Sequence, residues 1–446
     1  MVVAFFASLL ILSLFLSKSV YKSYINPFLS FLGNFLLAFT IFYLVDFIDH
    51  SISLKSILII VISFFAFVIG TFISIVQNKQ YSKLIYRESI MCSDMKVNRG
   101  EGMKVEDIKI IHLFFWLSII GFIHYLYTIQ INIGILRVLK QPNLLNLAYF
   151  YENINFNTIL IYMMKLSMVN SMLILLYILK FNCKKIGIYT MYFLEIIMNI
   201  SVKRNIFMYI LTLNFFVFMY YHMKKPTNSI HNSKTKNMKI PKKIIISISI
   251  FLIAGYYFAV TQKVLNKESI IEGTILGIRL PASIINIIMY YVGNIKSFDI
   301  YIDASLPDIP LLGATLRFLY KVFTTIHLMN YDDNFLRLHF VSVPSKFNTT
   351  LGQFYVYYEG GIIWVVIFYA IIGYISTSLY FKYQKHRNDI MLMYLALIST
   401  MLLFSIREYI VIFIDFWISI FIIIFIHLRF AKRKVKKAIQ LTQHTF

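Results

Sequence analysis

Four arginines and a glutamate give this 446-residue chain most of its chemical vocabulary. Arg204, Arg279, Arg317 and Arg407 stand between or beside long apolar runs, where a guanidinium costs a few kcal/mol unless something offsets it. Arg204 follows Lys203 in a tight hairpin, and Arg407, followed by Glu408, holds the corresponding place in the last hairpin. Two or three guanidiniums at one depth make a bidentate cage for a diphosphate. The plainer alternative is that each snorkels to outer headgroups. Glu359 directly precedes Gly360 and Gly361, which places its carboxylate at the edge of a cavity. There it acts either as a general base toward an acceptor hydroxyl or as the partner of a nearby arginine. Tyr355, Tyr357 and Tyr358 supply flat faces of the kind that stack on sugar rings, and Asn348, Thr349 and Gln353 supply hydrogen-bonding groups; aromatic anchoring at a membrane interface is the competing use.

The elements that must position these residues follow from composition. The chain is 59% hydrophobic and 17% aromatic, with 14% charged residues, too much apolar surface for a soluble protein of this length. The net charge of +23 is spread in short basic clusters between apolar runs, which writes membrane topology and does not suggest nucleic acid as a partner. Cys92 and Cys183 both fall in segments assigned to the cytoplasm, so no disulfide is expected. Residues 2–15 lack a charged leader and a small-residue cleavage site, and read as a first span.

Apolar runs of bilayer length recur about eleven times, near 2–16, 27–45, 57–76, 108–128, 158–179, 186–201, 206–222, 244–262, 361–381, 390–406 and 409–428. The expected fold is therefore an all-α integral membrane protein of about eleven transmembrane helices. Placing the basic tail (Arg429, Lys432, Arg433, Lys434, Lys436, Lys437) inside puts most of the other basic clusters inside as well, with the N-terminus outside. The chain then divides into N-terminal helices (1–222), a polar cytoplasmic linker (223–243), a large extracytoplasmic loop (263–360), and C-terminal helices with the tail (361–446). Residues 126–156, with Arg137, Lys140 and Asn143 among apolar neighbours, are expected to lie along the membrane surface. In the loop, 270–291 reads as helical with Pro281 starting a new helix, and 302–310 as an irregular acidic stretch before Asp332, Asp333 and His339.

Within the spans, Lys165 and Glu195 fall near one depth on consecutive helices and read first as a buried ion pair that fixes the packing, and otherwise as residues with a direct role; Asp415 and His112 read as structural or cavity-lining. Nucleotide and metal signatures (Walker loop, G-x-G-x-x-G, H-E-x-x-H, spaced D-x-D) do not occur, so neither a metal nor another cofactor is expected. A lipid-linked donor carrying its own diphosphate would need positive charge instead, which the arginines could supply.

Three places resemble the Wzy-type oligosaccharide repeat-unit polymerases of O-antigen and capsule. They are Ser201-Val202-Lys203-Arg204-Asn205, the run from Tyr290-Tyr291 through Gly293 to Phe298, and Asn348-Thr349-Thr350 followed by Tyr357-Tyr358-Glu359-Gly360-Gly361. Glu359 stands where that family more often has aspartate. The resemblance implies a GT-C-like polymerase or ligase bundle in the bacterial inner membrane, with the active site facing outward. It implies metal-independent, inverting glycosyl transfer between undecaprenyl-diphosphate-linked oligosaccharides, with Arg204, Arg279, Arg317 and Arg407 on the leaving diphosphate. An acidic residue, Glu359, or His339 would draw the acceptor's proton, and Tyr291, Asn348, Thr350, Tyr355 and Tyr358 would line the sugar site. Membrane lipid, a chain-length regulator and a flippase are the partners it brings. A lipid-linked glycan flippase would show internal repeats, which this chain lacks; a ligase-like transferase shares the layout.

Overall fold

The computed structural model describes residues 2–91, 102–140, 144, 157–200, 204–223, 273–304, 309–331 and 338–443. It is 78% helical. Among the described residues six helices are long and apolar enough to cross a membrane, and four shorter apolar helices accompany them. The chain is thus a multi-pass, mostly helical membrane protein. These ten helices coincide with ten of the eleven expected spans; the run at 244–262 lies outside the described residues, as does the linker beyond Met223.

The chain forms two compact units. The first comprises Met1–Met103, Ile271–Leu280 and Ile288–Phe446. Its helices are α1 (Val2–Tyr21), α2 (Asn34–Leu44, entered through a π-turn at Leu29–Gly33) and α3 (Leu54–Met91). After these come α9 (Ala282–Ile302, from residue 288 on), α10 (Arg317–Thr325), α11 (Gly352–His386), α12 (Asp389–Phe404) and α13 (Ile414–Gln443). The organising contact is the α3–α11 crossing. A Cβ on Gly70 would sit 1.9 Å from the Ala370 carbonyl oxygen, and one on Gly373 would sit 2.3 Å from that of Phe67. The two backbones therefore touch, which only glycine permits, and small-residue contact of this kind is how helices associate where lipid removes the hydrophobic drive. Phe31, Phe67 and Tyr369 pack beside the crossing, and Tyr21 bonds Thr377 at 2.9 Å.

The second unit comprises Lys104–Ile270 and Pro281–Ile287. It holds α4 (Ile108–Asn132), α5 (Ile135–Lys140), α6 (Thr158–Phe181), α7 (Ile186–Ile200) and α8 (Arg204–His222). Gly121 of α4 meets the α6 backbone, where a Cβ would lie 2.4 Å from Leu160 O and Met164 N. Asn157 caps α6 by accepting from the Ile159 and Leu160 N–H groups at 3.1 and 3.2 Å.

The sequence reading needs five corrections. The span expected at 361–381 begins earlier, at Gly352, and the one expected at 409–428 begins at Ile414, after a 3₁₀ turn at Ile410–Ile412. The run 270–291 is not one helical stretch: Thr274–Ile275 (β1) and Ile278–Arg279 (β2) form a small antiparallel hairpin, and the helix that Pro281 starts continues to Ile302. A second hairpin, Val341–Val343 (β3) with Ser345–Phe347 (β4), precedes α11. At 126–156, α4 itself runs to Asn132 before the short α5, and most of the remainder is outside the described residues. Lastly, Glu195 bonds Asn170, not Lys165.

Candidate functional site

Glu359 ends the first eight residues of α11, and the next two residues explain its position. Gly360 (φ −161°, ψ 16°) and Gly361 (φ 65°, ψ −162°) leave helical geometry, and Gly361 takes the left-handed region that favours glycine. The break swings the following turn, so Trp364 reaches back to give its indole N–H to Glu359 Oε1 at 2.9 Å. The loop before α10 supplies the rest. Ala314 and Thr315 donate their backbone N–H groups to Oε2 at 3.0 and 2.8 Å, and the Thr315 hydroxyl bonds Oε1. The same hydroxyl lies 2.6 Å from the Tyr409 phenol, which is buried among Tyr355, Phe368 and Glu359.

Each carboxylate oxygen of Glu359 thus holds two donors, all four of them uncharged, and the side chain is buried. A carboxylate offers about four lone-pair sites. Glu359 therefore clamps the 313–315 loop, the α11 break and the Tyr409 turn together. The arginine pairing expected from sequence is replaced by backbone, hydroxyl and indole donors, and the geometry leaves no lone pair aimed outward for a base.

The four arginines part company. Arg317 opens α10, half-buried, where Phe318 anchors the helix on Trp417 with ring centroids 4.5 Å apart. Arg407, half-buried, lays its guanidinium over Tyr290 with 5.2 Å to the ring centroid. Tyr355 lies between these regions: it feels the charges of both Arg317 and Glu408 and stacks against Tyr409, 6.3 Å centroid to centroid. Tyr290 continues to Phe347, whose carbonyl accepts from Tyr301; Tyr301 in turn packs on Phe354, next to Tyr355. Arg407 is thus tied into an aromatic array that runs to Tyr355, which in turn lies within electrostatic reach of Arg317. Arg279 is exposed on the β2 hairpin. Arg204 begins α8 in the second unit, and its side chain is outside the described residues.

The expected sugar contacts also separate. Asn348 is exposed, and Tyr358 is half-buried and stacked on Phe354 at 5.6 Å. Thr350 and Tyr355 are buried, and the Tyr291 hydroxyl is committed to the Asn34 side chain at 2.6 Å. His339 is exposed, with its carbonyl bonded by the Tyr301 hydroxyl. Thr315, Trp364 and Tyr409 escaped the sequence reading. The Gly360-Gly361 pair was a usable signal for Trp364, since a helix break after a buried acid invites a donor from the next turn; nothing local marks Thr315.

Among the described residues no cluster of three or more His, Cys, Asp or Glu is placed to hold a metal. Comparison of the chain with family models, with curated proteins and with solved structures gives no match.

Proposed function

We propose that the protein is a GT-C-like glycosyltransferase that polymerises undecaprenyl-diphosphate-linked oligosaccharide repeat units of a surface polysaccharide on the outer face of the bacterial cytoplasmic membrane. The observation that carries this reading is the half-buried Arg407, laid over Tyr290 in a tyrosine-rich wall that runs on to Tyr355, with the half-buried Arg317 near enough for its charge to act on Tyr355. Guanidiniums stabilise the negative charge that develops on a departing diphosphate without a metal, and aromatic faces are suited to sugar rings. The sequence resemblance at Tyr290–Phe298 and 348–361 falls on this same wall.

In this reading the donor's diphosphate lies against Arg317 and Arg407, and the acceptor's terminal sugar packs over the half-buried Tyr358. Glu359 is a positioning residue: it fixes the loop that carries Arg317, two residues past Thr315, against the turn that carries Arg407, two residues before Tyr409. His339, exposed on the loop before β3, is the remaining candidate to take the acceptor's proton. The test is polymer length on the lipid carrier at equal protein level. Arg317→Ala and Arg407→Ala abolish long chains, while Arg279→Ala on the exposed hairpin retains them; normal polymer from both of the first two variants rejects the proposal.

A further inference from the structure

The second unit contains a carboxyl group that the proposed transfer does not use. Glu195 of α7 is fully buried. Its Oε1 accepts from Asn170 Nδ2 at 2.5 Å, and that same amide nitrogen gives its second proton to Ile111 O at 3.2 Å. Among the described residues its Oε2 has no hydrogen-bond donor, and the Asn170 carbonyl oxygen Oδ1 has none either. Ser118 of α4 also lies against the carboxyl. However, the Ser118 hydroxyl spends its one proton on Phe114 O at 2.9 Å, so the oxygen it turns toward Glu195 is an acceptor.

Around this point the unit is unusually polar for a membrane bundle. Asn199 bonds the Ser167 hydroxyl at 2.6 Å and Glu195 O at 2.7 Å, and Asn214 bonds the Ser171 hydroxyl at 3.0 Å while its own Oδ1 is buried without a donor. The amide N–H₂ groups of Asn170, Asn199 and Asn214 are each spent on two acceptors, while the Asn170 and Asn214 amide oxygens have no donor among the described residues. Among the described residues no cation pairs with this carboxyl, so an ionised carboxylate here would face lone pairs. A group that supplies positive charge to oxygen, and only to oxygen, resolves the mismatch.

We propose that Glu195, with Asn170 and Ser118, forms an intramembrane site for a small hard monovalent cation, a proton or a sodium ion, bound at Oε2. As a proton it makes the carboxyl a donor toward the Asn170 Oδ1 or Ser118 Oγ acceptor. As sodium it draws on Oε2 and the same two oxygens. Either gives the second unit an equilibrium linked to the ion content of the medium, independent of the arginine wall in the first unit.

The experiment uses the full chain in detergent micelles. If the ligand is a proton, the infrared spectrum at neutral pH shows the C=O stretch of an un-ionised carboxylic acid, shifted in D₂O and absent in Glu195→Gln. The other titratable groups near Glu195 on its own and the packed helices, Lys165, His112, Tyr192 and Tyr209, contain no carboxyl and cannot give that band. If the ligand is sodium, replacing choline by sodium at constant ionic strength raises the wild-type Tm, and the rise is absent in Glu195→Gln. Should that variant fail to fold, Glu195→Asp, which keeps the carboxyl and shifts the band, assigns it to this residue rather than to the other buried carboxyls among the described residues, Asp107, Glu359, Asp389 and Asp415; a band that stays in place in Glu195→Asp overturns the proton form of the proposal. A wild-type protein with neither the acid band nor a sodium-dependent Tm overturns the proposal and leaves the polar layer as a water-filled packing device.

Discussion

Among the described residues the two units each bury one glutamate, and they treat it in opposite ways. Glu359 meets four donors and is satisfied on both oxygens, whereas Glu195 meets one and faces acceptors on its other side. Residue type and burial are the same, so neither decides what the carboxyl does. The difference lies in what surrounds it: a glycine break and a loop bring backbone N–H groups to Glu359, while Glu195 sits among continuous helices whose N–H groups are already spent on the helix ladder. A carboxyl between loop and helix end acts as a clamp. One within a helix bundle can hold only what arrives from outside the chain.

This contrast can be broken, and the largest effects come from the helix crossing that frames the first unit. Gly70→Val or Gly373→Val forces side-chain atoms into opposing backbone, so α3 and α11 separate; expression as folded protein is lost or Tm falls by many degrees. Gly187→Ala, with nothing within 4 Å of the added carbon, leaves Tm unchanged or raised. Equal Tm values for Gly70→Val and wild type would show that the crossing is looser than described.

Next in size is the removal of the Glu359 clamp. Glu359→Ala orphans two backbone N–H groups and the Trp364 indole in a buried place, at about 1–3 kcal/mol for each group left unpaired. Denaturation in mild detergent should therefore shift strongly, and Trp364 fluorescence should report the released ring. The sharpest form of the comparison is one substitution made twice. Glu359→Gln turns an amide N–H₂ against existing donors and costs about 1–3 kcal/mol. Glu195→Gln keeps an acceptor for Asn170 and adds donors beside an Asn170 amide oxygen that has none among the described residues, so it is near neutral in stability. If the two costs are equal, the difference in surroundings is not what governs these carboxyls.

Smaller again is Arg407→Ala, which loses the stacking on Tyr290, about 0.5–1 kcal/mol where the pair is partly exposed, yet abolishes polymer if the proposed function holds. The slightest effect concerns Lys296, which bonds Asp49 at 2.9 Å and lies 3.5 Å from Asp299. The Ser51 hydroxyl and then Lys296 hold Asp49 well below the usual carboxylate range. At Asp299, burial pushes upward, but the Ser53 hydroxyl and N–H, with Ser56 and Lys296, outweigh it and leave the group lowered. Groups lowered on folding stabilise above the unfolded value and lose that contribution as pH falls through the folded one. The Tm gap between wild type and Lys296→Met should thus be present at neutral pH and shrink on acidification below about pH 4. A gap that widens with acid would contradict these pairings.

The amino-acid sequence alone determined the solvent and the class. A chain that is 59% apolar with spaced runs of bilayer length has few places to put its surface except lipid, and helices that close their own hydrogen bonds are the economical way to cross it. It also marked Gly360-Gly361 as a special point, and Arg317 and Arg407 as costly, because both signals are local. Tertiary structure decided which of these residues meet. Glu359 finds Thr315 and Tyr409, Arg407 joins an aromatic array that runs to Tyr355 within electrostatic reach of Arg317, and Glu195 finds Asn170 and not Lys165. Those partners come from other segments of the chain, and hydropathy constrains how deep a residue lies but not which way it turns around its helix. A rotation of one residue, about 100° on a helix, exchanges a salt bridge for an amide.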